Sequence, residues 1–348
     1  MGVIGSWGAL VPALPEPVAW TAPDAATASI PGARYSFFAL GDTGERHFLP
    51  SLREGQLAVA RGLTAHDQVA PVDALILLGD NFYPDGLARD DLAQRVAVNL
   101  VWPYCRFADL TGPRSPEVAE ACSLPAALRR DPAPALFAVL GNHDHDLAES
   151  PGLQREAVPE FVANWQVPAG LVEVIEPVPG LSLVLIDSPA VRSEADLATV
   201  TAALRAARGP WRIVAAHHPI AERRDGTAES PGPEIRRALR RADVRVQLFL
   251  SGHHHNLQAI EMGTGDPTLH VISGGGATRK PIERDFVGRL IARETTGFAR
   301  VDLVEGDGRE ELVVSLHATP RYPAVFWKQA ELIGRWGITR NGVVSERP

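Results

Sequence analysis

Five short apolar runs, each ending in a block of Asp, Asn, His or Tyr, constrain this chain more than any other feature. Ala74–Leu78 runs straight into Gly79-Asp80-Asn81-Phe82-Tyr83. Gly41-Asp42-Thr43-Gly44, Gly141-Asn142-His143-Asp144, Val214-Ala215-Ala216-His217 and Gly252-His253-His254-His255 follow the same design. Near-continuous apolar runs of this length are expected of strands covered on both faces. Polar blocks where such strands stop would collect at one edge of a sheet. Carboxylates, an amide, imidazoles and a phenol gathered there are the donor set of a two-metal hydrolytic site.

The remaining pattern predicts an α/β fold. Strand-like runs occupy Tyr35–Leu40, Ala74–Leu78, Leu136–Leu140, Leu181–Ile186, Trp211–Ala215 and Val246–Leu250. Segments with apolar residues three and four apart lie between them, at Leu52–Leu63, Leu92–Leu100, Leu197–Leu204 and Ile235–Leu239. Such alternation implies βαβ units and a parallel or mixed sheet. From Leu257 the runs Leu257–Met262, Leu269–Ile272, Ala299–Leu303 and Leu312–Leu316 lack long helices between them, which reads as a second sheet layer built of hairpins. A helix is expected around Val325–Trp336.

The domain reading is an Ala/Pro-rich arm over 1–33, one catalytic domain over 34–320 and a C-terminal helix and tail over 321–348. Cys105–Pro134, with five prolines and both cysteines, reads as a long surface excursion. Arg223–Pro233 reads as a loop after the fourth block. Both are expected at the ligand-bearing edge, where loops of open α/β sheets form sites. Cys105 and Cys122 are too few for a disulfide framework and lack zinc-pair spacing, but could pair to close the excursion.

Composition narrows the partners. A formal charge of −8 without a Lys/Arg run gives no footprint for nucleic acid. No apolar run is long enough to span a bilayer. Pro12, Pro15 and Pro17 interrupt the N-terminal segment, which also lacks a basic start, so no signal peptide is read there and the compartment is open. The reading is a soluble, monomeric protein acting on a small phosphorylated substrate. A serine hydrolase is disfavoured because no Gly-x-Ser-x-Gly elbow occurs.

Taken singly, each block has an ordinary explanation, because Gly-Asp is common in turns and a lone histidine is usually a satisfied core residue. Five in sequence, each after a strand, form a pattern. Asp42, Asp80, Asn142, His217, His253, His255 and Tyr83 are the candidate ligands. The order and content of the blocks resemble the calcineurin-like metallophosphoesterases and, within them, the purple acid phosphatases. Flanking sequence at 79–83, 141–145 and 252–258 resembles their small, tartrate-resistant, mammalian-type branch. Most calcineurin-like enzymes carry Asp-x-His in the first block, but Gly44 stands in the histidine position here. Tyr83 can fill that gap, and a phenolate suits Fe(III) better than Zn(II) or Mn(II).

The resemblance implies a four-layer α/β/β/α sandwich of two mixed sheets flanked by helices. It implies Fe(III) held by Asp42, Tyr83 and His255, with Asp80 bridging to a divalent Fe, Zn or Mn on Asn142, His217 and His253. His143 would contact the substrate phosphate and protonate the leaving oxygen, steadied by Asp144. The implied activity is phosphomonoester hydrolysis by in-line attack of hydroxide, and an extracytoplasmic location is compatible with the resemblance. A phosphodiesterase, nucleotidase or phosphoprotein phosphatase on the same site is the nearer alternative, and a non-catalytic binding protein the remoter one.

Several residues are read as supporting. His217 and His218 are adjacent and would face opposite sides of a strand, with His217 the ligand. His254 should turn away from the metals, and His145 either approaches substrate or caps a turn. Asp187 is read as structural. Gly274-Gly275-Gly276 would let the chain pass close under the site. His47, His66, His270 and His317 carry no spacing signal.

Overall fold

A computed structural model describes residues 30–44, 54–263, 265–282, 285–306, 308–319 and 330–348. Two mixed sheets face each other. In the first, β1 (Ala33–Leu40), β2 (Ala74–Leu78), β3 (Ala135–Val139) and the short β4 (Trp165–Gln166) run parallel. An antiparallel series, β12 (Gly297–Gly306), β13 (Arg309–Ala318), β14 (Glu331–Thr339) and β15 (Val344–Glu346), extends it from the β1 side. In the second, β6 (Leu181–Ile186), β7 (Trp211–Ala216), β8 (Leu248–Ser251) and β10 (Leu269–Ser273) are parallel. Its antiparallel strands are β5 (Val172–Val178), β9 (Leu257–Glu261) and β11 (Arg289–Arg293).

Strand periodicity builds the layers. Phe37, Ala39, Ile76 and Leu78 point inward with Leu183, Leu185, Ile213 and Leu250, forming the core between the sheets. Their neighbours Phe38, Leu40, Leu75 and Leu77 pack outward against helices at Glu54–Val69, Ser150–Glu156 and Val158–Phe161. On the far side Val184, Ile186, Val214 and Phe249 meet the helices Glu194–Ala206 and Gly232–Ala242. These are the four expected layers, and two-faced burial explains the continuous apolar runs.

Three expectations change. The strands after Leu257 do not make a sheet of their own: β9 to β11 complete the second sheet, whereas β12 and β13 return to β1. The expected C-terminal helix is a strand where it is described, and residues 325–329 lie outside the described residues. Gly334 and Gly337 weaken a helix there, and Trp336 and Ile338, two apart, drop into the inter-sheet core. The segment Cys105–Pro134 lies largely at the surface, as expected, but not at the ligand edge. Phe107, Val118 and Ala121 are buried with the helices, and Cys105 and Cys122 are joined in a disulfide. Arg106 and Arg130 clamp Asp67 near the start of β2, the opposite edge, because the preceding helix has already carried the chain back along the sheet.

Candidate metal centre

All five blocks emerge at one edge, three from the first sheet and two from the second. Asp42, Asp80 and His253 sit just past their strands with φ of +57°, +52° and +68°. Non-glycine residues adopt this left-handed backbone at a cost, and it persists where surrounding contacts fix it. Here the contacts are those of neighbouring blocks: the Asp42 amide donates to Gly79 O (2.9 Å) and the His253 amide to Asp42 Oδ2 (2.7 Å). Glycines make the close approach possible. A Cβ on Gly141 would lie 2.1 Å from Asp80 Oδ1, and one on Gly274 would lie 2.7 Å from Asp42 Oδ2. The glycine run at 274–276 passes beneath the site as the sequence indicated.

Two overlapping groups of donors result. The Tyr83 hydroxyl lies 2.7 Å from Asp80 Oδ2, 3.1 Å from Asp42 Oδ1 and 3.1 Å from His255 Nε2. His255 Nε2 is 3.2 Å from Asp42 Oδ1. Beside them, His217 Nε2 and His253 Nδ1 lie 3.1 and 3.2 Å from Asn142 Oδ1 and 3.2 Å from each other. His217 Nε2 is 3.5 Å from Asp80 Oδ2, which places Asp80 between the groups. Donor atoms of Asp42, Asp80 and His217 all fall within 4.8 Å of one another, on buried side chains.

Electrostatics at this cluster fits cations. Burial works to raise the Asp42 carboxyl, but the imidazoles of His255, His217 and His253 outweigh it and hold the group below the usual carboxylate range. Burial, then Asp42 and Asp80, pushes the Tyr83 phenol far above its ordinary value. The phenol therefore keeps its proton unless a strongly Lewis-acidic cation replaces it. Two buried carboxylates, an amide oxygen, three imidazoles and a phenol are a hard donor set matched to such ions.

Around the donors the structure reassigns several roles. Asp144 does not steady His143. Its buried carboxylate accepts hydrogen bonds from the amides of Asn81, Phe82 and Gly141 and from Gln154 Nε2, tying the second block to the third. Burial and the Asp80 carboxylate raise it to about 7. Pro84 O (2.6 Å) and Asp146 (3.2 Å) hold His143 Nδ1 instead, with the half-exposed ring 4.5 Å from that of Tyr83. His218 does not face the opposite side. The strand has ended at Ala216, alternation lapses, and the His218 ring packs 4.7 Å from that of His253 with Nδ1 on Ser188 Oγ. Burial, then His217 and His253, lowers it to about 2. Asp187 binds His145 Nε2 (2.8 Å) and Arg155 (2.7 Å), so His145 is anchored to the next strand end.

Two contributors carry no motif in the sequence. Glu229, in the loop after the fourth block, accepts from His253 Nε2 at 3.0 Å and is held by Arg223 at 3.1 Å. Thr278 Oγ1 lies 2.6 Å from His255 Nδ1. Each engages the second nitrogen of a candidate ligand histidine, fixing its tautomer and ring plane. Only the position of Glu229 in a loop expected at the site hinted at its role.

Comparison with known proteins converges on the same architecture. The family model for the calcineurin-like phosphoesterases matches residues 35–257, more than half of the chain. The human protein tartrate-resistant acid phosphatase type 5 is 25% identical over 290 residues, covering 75% of this chain and 78% of that protein. Among solved structures, GAP50, the anchor in the inner membrane complex of Plasmodium, superposes with a TM-score of 0.58 at 16% identity, covering 86% of this chain and 89% of its own. PhoD gives a TM-score of 0.58 at 11% identity over 92% of this chain and 72% of its own. At those identities the two structures speak for the fold.

Proposed function

The chain belongs to the calcineurin-like phosphoesterases and is a phosphatase of that family, and on that premise we propose that it hydrolyses phosphomonoesters at an Fe(III)–M(II) centre of the purple acid phosphatase type. Asp42, Tyr83 and His255 would hold a ferric ion, Asp80 would bridge, and Asn142, His217 and His253 would hold a divalent iron, zinc or manganese. The observation that carries this reading is the Tyr83 hydroxyl, within hydrogen-bond distance of Asp42, Asp80 and His255, while Gly44 stands where an Asp-x-His block would put an imidazole. When bound, such ions supply Lewis acidity to the phosphate oxygens and lower the pKa of an attacking water.

The chain's own residues do the rest. Glu229 and Thr278 orient His253 and His255 through the nitrogens those rings leave free. Asp144 holds the backbone of the second and third blocks together, so Asp80 and Asn142 keep their separation. His143 carries its Nδ1 proton toward Pro84 O, which leaves Nε2 as the atom that meets the phosphate. Protonated, that nitrogen donates to the leaving oxygen as the ester bond breaks. The full ligand complement favours catalysis over a purely binding role on this scaffold.

Metal analysis, a visible spectrum and turnover of matched substrates test the proposal. Iron, an absorption from phenolate-to-Fe(III) charge transfer, and faster cleavage of p-nitrophenyl phosphate than of its diester are the expected results. A colourless protein active with zinc or manganese alone would remove the iron assignment. Preference for the diester would replace phosphomonoesters as the substrate class.

A further inference from the structure

A cleft of about 250 Å³ opens beside the centre, lined by Glu229, His253, His255, Gln258, Lys280 and Phe286 among others. It shares His253 and His255 with the candidate donors, so the group attached to a phosphate held there has this space to occupy. We propose, building on the phosphatase reading, that Lys280 determines specificity: the cleft selects phosphomonoesters whose leaving group carries a second negative charge, a carboxylate or a further phosphate.

Lys280 is the one lysine or arginine among the described residues that line the cleft. Arg223 is paired with Glu229 at 3.1 Å, and Arg224 with Asp285 at 2.6 Å. Arg236 is paired with Asp266 at 2.6 Å and Glu222 at 3.1 Å. Glu229, the carboxylate lining the cleft, is engaged by Arg223 and His253. Among the described residues Lys280 has no carboxylate partner. Its side chain is exposed, yet its backbone is anchored: the Lys280 amide donates to His255 O at 2.8 Å, two residues after Thr278 meets His255 Nδ1. The backbone bonded to a candidate ligand thus places at the cleft a lysine that no carboxylate of the described residues neutralises. Lysine is used only twice in the chain, and Arg223, Arg224 and Arg236 are each held by a carboxylate. A compact, flexible ammonium suits an anion of variable position better than a guanidinium already forked onto a carboxylate. With a formal net charge of −8, the molecule as a whole repels dianionic esters, so a local cation carries weight in their capture. Phe286 and the amide of Gln258 complete a wall for a small organic group rather than for a folded protein surface.

The test uses the full-length, metal-loaded protein with two esters that differ in one charge, phenyl phosphate and 4-carboxyphenyl phosphate. The quantity read is the ratio of kcat/KM for the charged ester to that for the neutral one. It should exceed one in the parent, fall about threefold in Lys280→Gln and about tenfold in Lys280→Glu, as one partly exposed charge pair allows. A ratio that stays put in both variants overturns the proposal, whatever happens to either rate alone. Calorimetric titration with phenylphosphonate and 4-carboxyphenylphosphonate gives the same comparison without turnover. Failure of the parent to cleave either ester would count against the phosphatase reading. The Kd ratio would then decide the subsite, upholding it by falling in Lys280→Glu and ending it by not moving.

Discussion

His66 and His317 form a buried pair whose acid sensitivity can be worked out. Their ring centroids lie 4.4 Å apart, Phe298 stacks on His317 at 5.2 Å, and among the described residues none of the four ring nitrogens has a hydrogen-bond partner. Burial, then Arg300, holds His66 at about 4 against an ordinary 6.5. Burial, then His66 and the arginines 335 and 300, holds His317 well below that value. A histidine with a depressed folded pKa takes up its proton more readily when unfolded. Its contribution is therefore complete above the unfolded value, near pH 6.5, and drains away as the pH falls toward 4. From His66 alone the loss is about 2 kcal/mol at pH 5 and about 3 kcal/mol at pH 4. Because the His66 ring bonds to nothing among the described residues, His66→Leu orphans no described partner and removes a titrating group. Urea unfolding of parent and variant, both stripped of metal, at pH 7 and pH 5 measures the difference. The parent should lose about 2 kcal/mol more than the variant across that interval. Equal losses within about 0.5 kcal/mol would refute the linkage, since that is the scatter of such comparisons.

Three further outcomes follow from the site and its surroundings. Tyr83→Phe should fold, lose the charge-transfer colour and hold iron less tightly, and an unchanged visible spectrum would end the purple-acid-phosphatase assignment while leaving the family untouched. Glu229→Gln should weaken the divalent ion about 10- to 100-fold in chelator competition, because His253 loses its anionic acceptor, with the Tyr83-dependent colour retained; unaltered affinity would make Glu229 a bystander. Thiol titration of unreduced, denatured protein should find no free thiol, and reduction should cost about 3 kcal/mol for a loop closed across 17 residues; two reactive thiols would contradict the disulfide.

Strand ends and ligand types were legible because burial on both sheet faces forces continuous apolar runs, and the break in each run marks the edge. Gly44 and Tyr83 were informative together, since each alters the meaning of the other. What the sequence hid was direction and distance. Whether Ala299–Leu303 pairs with β1 or founds another sheet depends on long-range register that no local period encodes. The return of 105–134 to the far edge depends on the path of a preceding helix. Asp144 adjoins His143 in sequence, but their side chains serve different blocks, because the short 3₁₀ turn His143–His145 separates them. Glu229 shows no pattern at all, as a loop carboxylate acquires meaning only from what it meets.

The candidate ligands are divided between the two sheets: Asp42, Asp80, Tyr83 and Asn142 follow strands of one, His217, His253 and His255 follow strands of the other. Hydrogen bonds already stitch the edges there, from Gly41 N to Ser273 O (2.7 Å) and between His217 Nδ1 and Leu78 O (2.9 Å). Under the proposed assignment the ions act as rivets through this seam, and neither sheet alone owns a complete coordination sphere. Metal affinity then becomes a strain gauge for the interior. A substitution deep between the sheets, at Ile76 or Leu250, that changes their spacing by a fraction of an ångström would register first as weakened metal retention, at a distance from the residue altered and before the fold itself gives way.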